Sequence, residues 1–339
     1  MKPLLTIGIT SYKRINELTR CINSIQTKYD QDVEILVSED RSPLSEELKK
    51  KVEELAQTSR YHLRFTRNER NLGYDKNLEA IVEKAQGEYV FFLSDDDAIN
   101  GEFLDELIPF LKQGTDVGVI YAPFVYLNSG LLDRVRGKRN FTIAAGEKYA
   151  AKYIYDSILF SGLIFRKAYI ENYDSSRFRN LNYFQVYLFL QMIKNYGGYY
   201  FSIPSVIFCG DGENAFGLSD SSKETPELAN RKNEKTKLSF HKLLIKVIRM
   251  FDEDERTRIF DSFERQYSIH SYTLLSIARR EGKQSYKEYW KMMKELDIKL
   301  HPIAQIYYYS LLIFGEKMDR IMDPIRRKVK KIPYNRVVQ

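Results

Sequence analysis

Short apolar runs and helically spaced apolar stripes alternate through the first hundred residues. Residues 4–10 and 33–38 are apolar and β-branched, residues 88–93 are apolar and aromatic, and residues 62–66 alternate more weakly. Each predicts a strand. Between the first two, Ile15, Leu18, Ile22 and Ile25 make one helical stripe. Leu44, Leu48, Val52 and Leu55 make a second, and Ser42-Pro43 ahead of it reads as an N-cap followed by proline in the first turn. A third helix follows Gly73, with Leu78, Ile81, Val82 and Ala85 inward. Strands recurring with helices between them are βαβ units, and these predict a mostly parallel sheet flanked by helices.

The pattern continues with strands expected over residues 117–127, 159–165 and 199–207, and a helix over 184–196. Residues 219–237 turn polar and charged, which predicts a boundary between an α/β domain, 1–218, and a helical region, 219–339.

The chain has 339 residues and a formal charge of +7. That charge is unevenly spread. Residues 1–110 carry 15 Lys and Arg against 21 Asp and Glu, whereas residues 111–339 carry 38 against 25. An acidic start followed by a basic body argues against a uniform nucleic-acid surface, and no nucleic-acid module is legible. Cys21 and Cys209 stand far apart and the four histidines form no metal-spaced pair, which excludes a disulfide framework and a zinc site. Neither a secretory leader pattern nor an apolar run of about 18 residues is present, so a cytoplasmic location is expected.

In an open α/β sheet ligands bind beyond the carboxyl ends of the strands. The residues there are Thr10-Ser11-Tyr12, then Glu39-Asp40, then Asn68, then Asp95-Asp96-Asp97. No glycine-rich phosphate cradle follows the first strand. An acidic edge repels a diphosphate unless a divalent cation lies between them, so this pattern points to a nucleoside diphosphate bridged by Mg²⁺ or Mn²⁺.

These residues resemble glycosyltransferase family 2 on a GT-A fold. TIGITSYKR resembles the family's opening strand and T-Y-x-R turn, EILVSEDRS its second strand and acidic turn, and NLGYDKNLEAIVEKAQGEYVFFLSDDD the segment leading into its D-x-D motif. SGLIFRK around Gly162 is similar to a later segment, more loosely. The resemblance implies that Thr10 and Tyr12 line a nucleoside pocket, with Arg14 and Glu39 beside them. It implies that Asp40 accepts a hydrogen bond from the base, and that Lys76 and Asn77 lie near the nucleotide. It makes Asp96 the metal ligand, Asp97 a supporting carboxylate and Asp95 a ribose or metal-shell contact, with Ser94 standing in the first acidic position.

Inverting transfer, also implied, needs a base for the acceptor hydroxyl. The family places it as a carboxylate at the start of a helix in the second half. Here that stretch is Asn182-Tyr183-Phe184-Gln185 and carries no acid. The replacements are Asp174, and Asp211 or Glu213 in the glycine-rich CGDGENAFG; Asp156 is a further outsider.

Residues 303–314 are apolar but too short to span a bilayer, and residues 316–336 carry 8 basic against 3 acidic side chains. This pair reads either as a segment lying on an anionic membrane surface or as a core helix with a solvated tail. The combined expectation is a metal-dependent transferase moving a sugar from a nucleotide donor to a glycan or lipid-linked oligosaccharide in surface polysaccharide synthesis, peripheral on the inner membrane face. The rivals are a nucleotide-binding scaffold on the same fold and a sugar nucleotidyltransferase.

Overall fold

The computed structural model describes residues 2–178, 181–210, 234–315, 317, 318, 320 and 321, with side chains in the third stretch from Phe240. The described residues fall into two compact units, one up to residue 210 and one from residue 234. The boundary expected at residues 218 and 219 lies outside the described residues, as do Asp211 and Glu213.

The first unit begins with β1 (Leu5–Ser11), α1 (Ile15–Ser24), β2 (Val33–Glu39), α2 (Ser45–Thr58), β3 (His62–Arg67), α3 (Tyr74–Lys84) and β4 (Tyr89–Ser94). It continues through β5 (Ala98–Ile99), α4 (Gly101–Lys112), β6 (Val119–Tyr121), β7 (Phe124–Tyr126), β8 (Leu132–Asp133), β9 (Phe141–Ile143) and α5 (Glu147–Tyr153). It ends with β10 (Leu163–Arg166), α6 (Lys167–Ile170), α7 (Phe184–Tyr196), β11 (Gly198–Tyr200) and β12 (Val206–Phe208).

The larger sheet runs in the order β3-β2-β1-β4-β10-β6-β11-β9. Its first four strands are parallel, as the alternating pattern predicts. Beyond them β10 lies antiparallel to β4 and β6, β11 is parallel to β6, and β9 is antiparallel to β11. Strands β1, β2 and β4 are buried on both faces, which explains their near-continuous apolar sequence. Leu5, Ile7 and Ile9 of β1 point into one core with Leu18 and Ile22 of α1 and Phe103 and Leu107 of α4. On the other face a Cβ at Gly8 would lie 2.2 Å from Cγ2 of Ile81, so only glycine lets α3 sit this close to β1.

Three expected elements differ. The single strand over 117–127 is two, β6 in the large sheet and β7 in a smaller one ordered β5-β12-β7-β8, with Pro123 at the crossing. The strand over 199–207 divides likewise into β11 and β12, beside Pro204. Proline donates nothing to a ladder, and both chains change sheets there. The expected N-cap at Ser42 is absent. Helix α2 starts at Ser45, and the Glu39 carboxylate holds its approach by accepting from Arg41 N, Ser42 N and Ser45 Oγ at 3.1, 2.6 and 2.6 Å.

The second unit contains α8 (Glu234–Glu255), α9 (Ile259–Glu281), α10 (Lys283–Glu295) and α11 (Pro302–Phe314). Its interior is built from Ile248, Phe251, Phe263, Leu275, Met293 and Leu311, all buried. Among the described residues no helix is long and apolar enough to cross a membrane.

Candidate active site

Strand register brings the polar strand ends level. Thr10 lies opposite Ser38 on one side and Ser94 on the other, and Glu39 opposite both Ser11 and Arg67. The residues that follow, Tyr12, Asp40, Asn68 and Asp95, therefore leave the sheet along one edge.

Asp40 and its neighbours form one network. The Asp40 carboxylate accepts from Asn68 Nδ2 (2.9 Å), Leu72 N (2.8 Å) and Gly73 N (2.9 Å). Burial pushes its pKa up, against the pull of these donors. Asn77 accepts from Ser38 Oγ at 2.7 Å and from Asn68 Nδ2 at 3.0 Å, and donates to Ser38 O at 3.2 Å. The network fixes the turn into α3, where Gly73 has φ +80°. A carboxylate offers about four lone-pair sites, and these donors occupy three of them. Glu39 is fully buried and engaged in the α2 approach, which gives it a bracing role. Lys76 pairs instead with Glu79 (2.6 Å) and Asp174 (3.1 Å).

The three aspartates stand in different surroundings. Asp95 is buried and accepts from Tyr12 N at 3.2 Å and Arg14 Nη1 at 2.9 Å. Asp97 is buried, accepts from Cys209 N at 3.3 Å and is bonded by Ser161. Burial raises the pKa of both to about 7, and the Asp96 charge adds to the rise; Arg14 opposes it at Asp95, and the Ser161 bond at Asp97. Asp96 is only partly covered. Its carboxylate takes Ser94 Oγ on one oxygen and lies 2.9 Å from Arg14 Nη1 on the other, while Arg20 donates to its carbonyl at 2.8 Å. Tyr12 and Thr10 are partly exposed beside this group.

The base candidates separate clearly. Asp174 is exposed and accepts from Ser176 Oγ (2.5 Å), Ser176 N (2.7 Å) and Lys76 Nζ; these bonds lower its pKa to about 2, which makes it a weak proton acceptor. Asp156 is buried against Arg136, which grips it with Nε and Nη2, each at 2.7 Å, so it serves as a structural ion pair. Helix α7 does begin where the expected carboxylate is missing. Gln185 fills that place, nine-tenths or more buried, donating from Nε2 to Ile158 O at 3.1 Å while Oε1 has no partner among the described residues.

Four contacts escape a reading of residue types. Arg20 and Ser161 secure the aspartates, and Asp75 caps α7 by accepting from Asn182 N and Phe184 N, both at 2.9 Å. Complete burial lifts the Asp75 pKa to about 7, against those amides. The fourth is Gln185 itself. Ser161 had a signal in its place in SGLIFRK beside Gly162, and Gln185 one in standing where an acid is expected.

The family model described as "Glycosyl transferase family 2" matches residues 6–173. An abequosyltransferase of Salmonella typhimurium, RfbV, is 29% identical over 116 residues, which is 34% of this chain and 34% of that protein. The Campylobacter jejuni GalNAc(5)-diNAcBac-PP-undecaprenol beta-1,3-glucosyltransferase is 30% identical over 112 residues, 33% of this chain and 36% of that protein. The chain thus matches about a third of the length of these curated relatives. Staphylococcus aureus TarS 1–349, solved with UDP-GlcNAc, shares the fold with a TM-score of 0.54 at 15% identity, over 85% of this chain and 79% of that one.

Proposed function

Because residues 6–173 belong to glycosyltransferase family 2, we propose that this chain transfers a sugar, with inversion, from a nucleoside-diphosphate donor to a glycan or lipid-linked oligosaccharide of a surface polysaccharide. The observation that carries the reading is the alignment of Tyr12, Asp40 and Asp95–Asp97 along one sheet edge by strand register. The relatives' names support the donor and acceptor classes: one complex holds UDP-GlcNAc, and one enzyme acts on an undecaprenol-diphosphate glycan.

The donor set fits a hard divalent cation shared with the substrate. Among the described residues no group of three His, Cys, Asp or Glu side chains could cage a metal, and Mg²⁺ typically takes one or two carboxylates plus substrate phosphate. Asp96, the least covered of the three aspartates, is the residue to hold Mg²⁺ or Mn²⁺, with Asp97 behind it. Such a cation would offset the charge growing on the departing diphosphate. Asp40 would use its remaining lone pair on the base, Tyr12 would lie against the nucleoside, and Asp95, tied to Arg14 and Tyr12 N, would orient the turn beneath the ribose. Asp211 or Glu213 is left to take the acceptor proton. The reading includes a cytoplasmic location on the inner membrane face, with an anionic membrane surface as a further partner.

One observation favours a second reading. Gln185 cannot accept a proton at the place where the family carries its base, so a nucleotide-binding protein without transfer is the alternative. Incubation with a panel of nucleotide sugars, acceptor lipids and Mn²⁺ separates the two. Transfer that Asp96→Ala abolishes supports the enzyme; tight nucleotide binding with no transfer or hydrolysis supports the scaffold; release of pyrophosphate would mean a nucleotidyltransferase.

A further inference from the structure

Helix α11 contains no charged residue in its thirteen positions, Pro302–Phe314. Half of its circumference is explained by packing. Ala304 and Leu311 are fully buried, Tyr308 stacks on Trp290 and Tyr286 with centroids 4.3 and 5.0 Å apart, and Tyr307 meets Tyr272 edge-on. The other half is not. Ile306, Tyr309 and Ile313 follow one another at i, i+3 and i+7 and are 61%, 57% and 72% exposed, with Leu312 and Phe314 flanking them at 42% and 56%. Scattered exposed apolar residues are ordinary, but five on one uncharged helix face make a patch that needs a partner.

The charge along the chain after this helix says what the partner is. Immediately beyond α11, Lys317 and Arg320 are exposed, as is Ile321 at 59%. The sequence from 316 to 336 carries 8 basic residues against 3 acidic ones. A second copy of the chain docked on this face would have to accommodate the exposed Lys317 and Arg320 at its end against another such face. An anionic lipid surface does the reverse: isoleucine, leucine and aromatic side chains enter the acyl boundary while lysine and arginine meet headgroup phosphates. A helix of thirteen residues is too short to span the hydrocarbon layer but long enough to lie in its surface.

We propose that the exposed face of α11, Ile306, Tyr309, Leu312, Ile313 and Phe314, with Lys317 and Arg320 at its end, is a docking surface for an anionic membrane. This deepens the reading of a lipid-linked acceptor, and its test requires no transfer activity.

The full-length chain is mixed with neutral phosphatidylcholine vesicles and with vesicles containing a quarter phosphatidylglycerol, and sedimented at low and high salt. Wild type pellets with the anionic vesicles, at least tenfold more tightly than with the neutral ones. The double variant Ile306→Gln/Ile313→Gln loses at least tenfold in affinity, and Lys317→Gln/Arg320→Gln weakens binding and flattens its salt dependence. All substituted side chains are exposed, so unchanged thermal unfolding is expected, and Asp96→Ala keeps full vesicle binding. Equal binding to neutral vesicles, equal binding by the double variant, or no binding by wild type overturns the proposal. So does a concentration-dependent dimer that Ile313→Gln dissociates, since the face would then belong to a second copy. Loss of transfer with vesicle binding intact would instead count against the enzymatic reading alone.

Discussion

Arg14 Nη1 lies 2.9 Å from Asp95 Oδ1 and 2.9 Å from Asp96 Oδ2. One guanidinium thus bridges Asp95 and Asp96, the latter proposed to hold the cation, and removing it takes a positive charge away from the place where that cation would bind. Arg14→Gln is expected to tighten Mn²⁺ binding by the nucleotide-free protein about tenfold, roughly 1.4 kcal/mol of relieved repulsion, while Asp96→Asn weakens it. Titration of free Mn²⁺ by electron paramagnetic resonance reads both.

Asp40 is a brace as well as a candidate ligand contact. Asp40→Ala would strip partners from Leu72 N, Gly73 N and Asn68 Nδ2. The expected loss is about 1–3 kcal/mol in urea unfolding, accompanied by faster hydrogen exchange at the Leu72 and Gly73 amides. Unchanged exchange there would contradict the bracing role.

The base is expected outside Asp174. Because Ser176 and Lys76 hold that carboxylate near pKa 2, Asp174→Asn should leave kcat within about threefold. Asp211→Asn or Glu213→Gln should lower it by about 10²–10⁴ with donor affinity kept, the range ordinary for a lost general base. Steady-state kinetics with a soluble acceptor analogue decides between them.

Asp75 makes stability depend on pH. Its pKa is about 7 in the fold against 3.8 when unperturbed, with burial as the main cause. A raised value means that the folded state keeps the proton longer. The contribution is greatest below pH 3.8 and is lost as pH climbs towards 7. Wild type should therefore lose stability relative to Asp75→Asn across that window, and chemical denaturation of both proteins from pH 4 to 8 would reveal the slope.

Arg136 and Asp156 test a structural pair. Asp156 is buried and takes the larger part of its charge balance from Arg136, with Arg134 adding to it. Arg136→Ala should cost about 3–5 kcal/mol, because it removes the guanidinium bonded to a buried carboxylate; Arg136→Ala/Asp156→Ala together should cost less than the single change.

The parallel half of the fold was readable because each strand passes abruptly from apolar to polar residues. That change alone places Tyr12, Asp40 and Asp95 at one edge. The crossings at Pro123 and Pro204 were signalled by proline but hidden within long apolar runs, since burial in either sheet asks for the same residues. Roles were harder to read than positions. Asp40 and Asp75 find their donors on the backbone of Leu72, Gly73, Asn182 and Phe184, and a main-chain amide leaves no trace in residue identity. Gln185 was visible only as a missing acid; its buried, half-satisfied amide is a product of packing.

The two sheets share the segment that matters most. Asp95–Asp97 leave β4 of the large sheet and enter β5, whose Ala98 and Ile99 pair with Ile207 and Val206 in the small one. A three-residue link held at both ends has little conformational freedom left to surrender when a ligand arrives. Its ordering entropy is lost at folding rather than at binding, so more of the contact energy with a ligand would appear as affinity. Changes that loosen β5, such as a polar residue at Ile99, would therefore act at the aspartates without touching them.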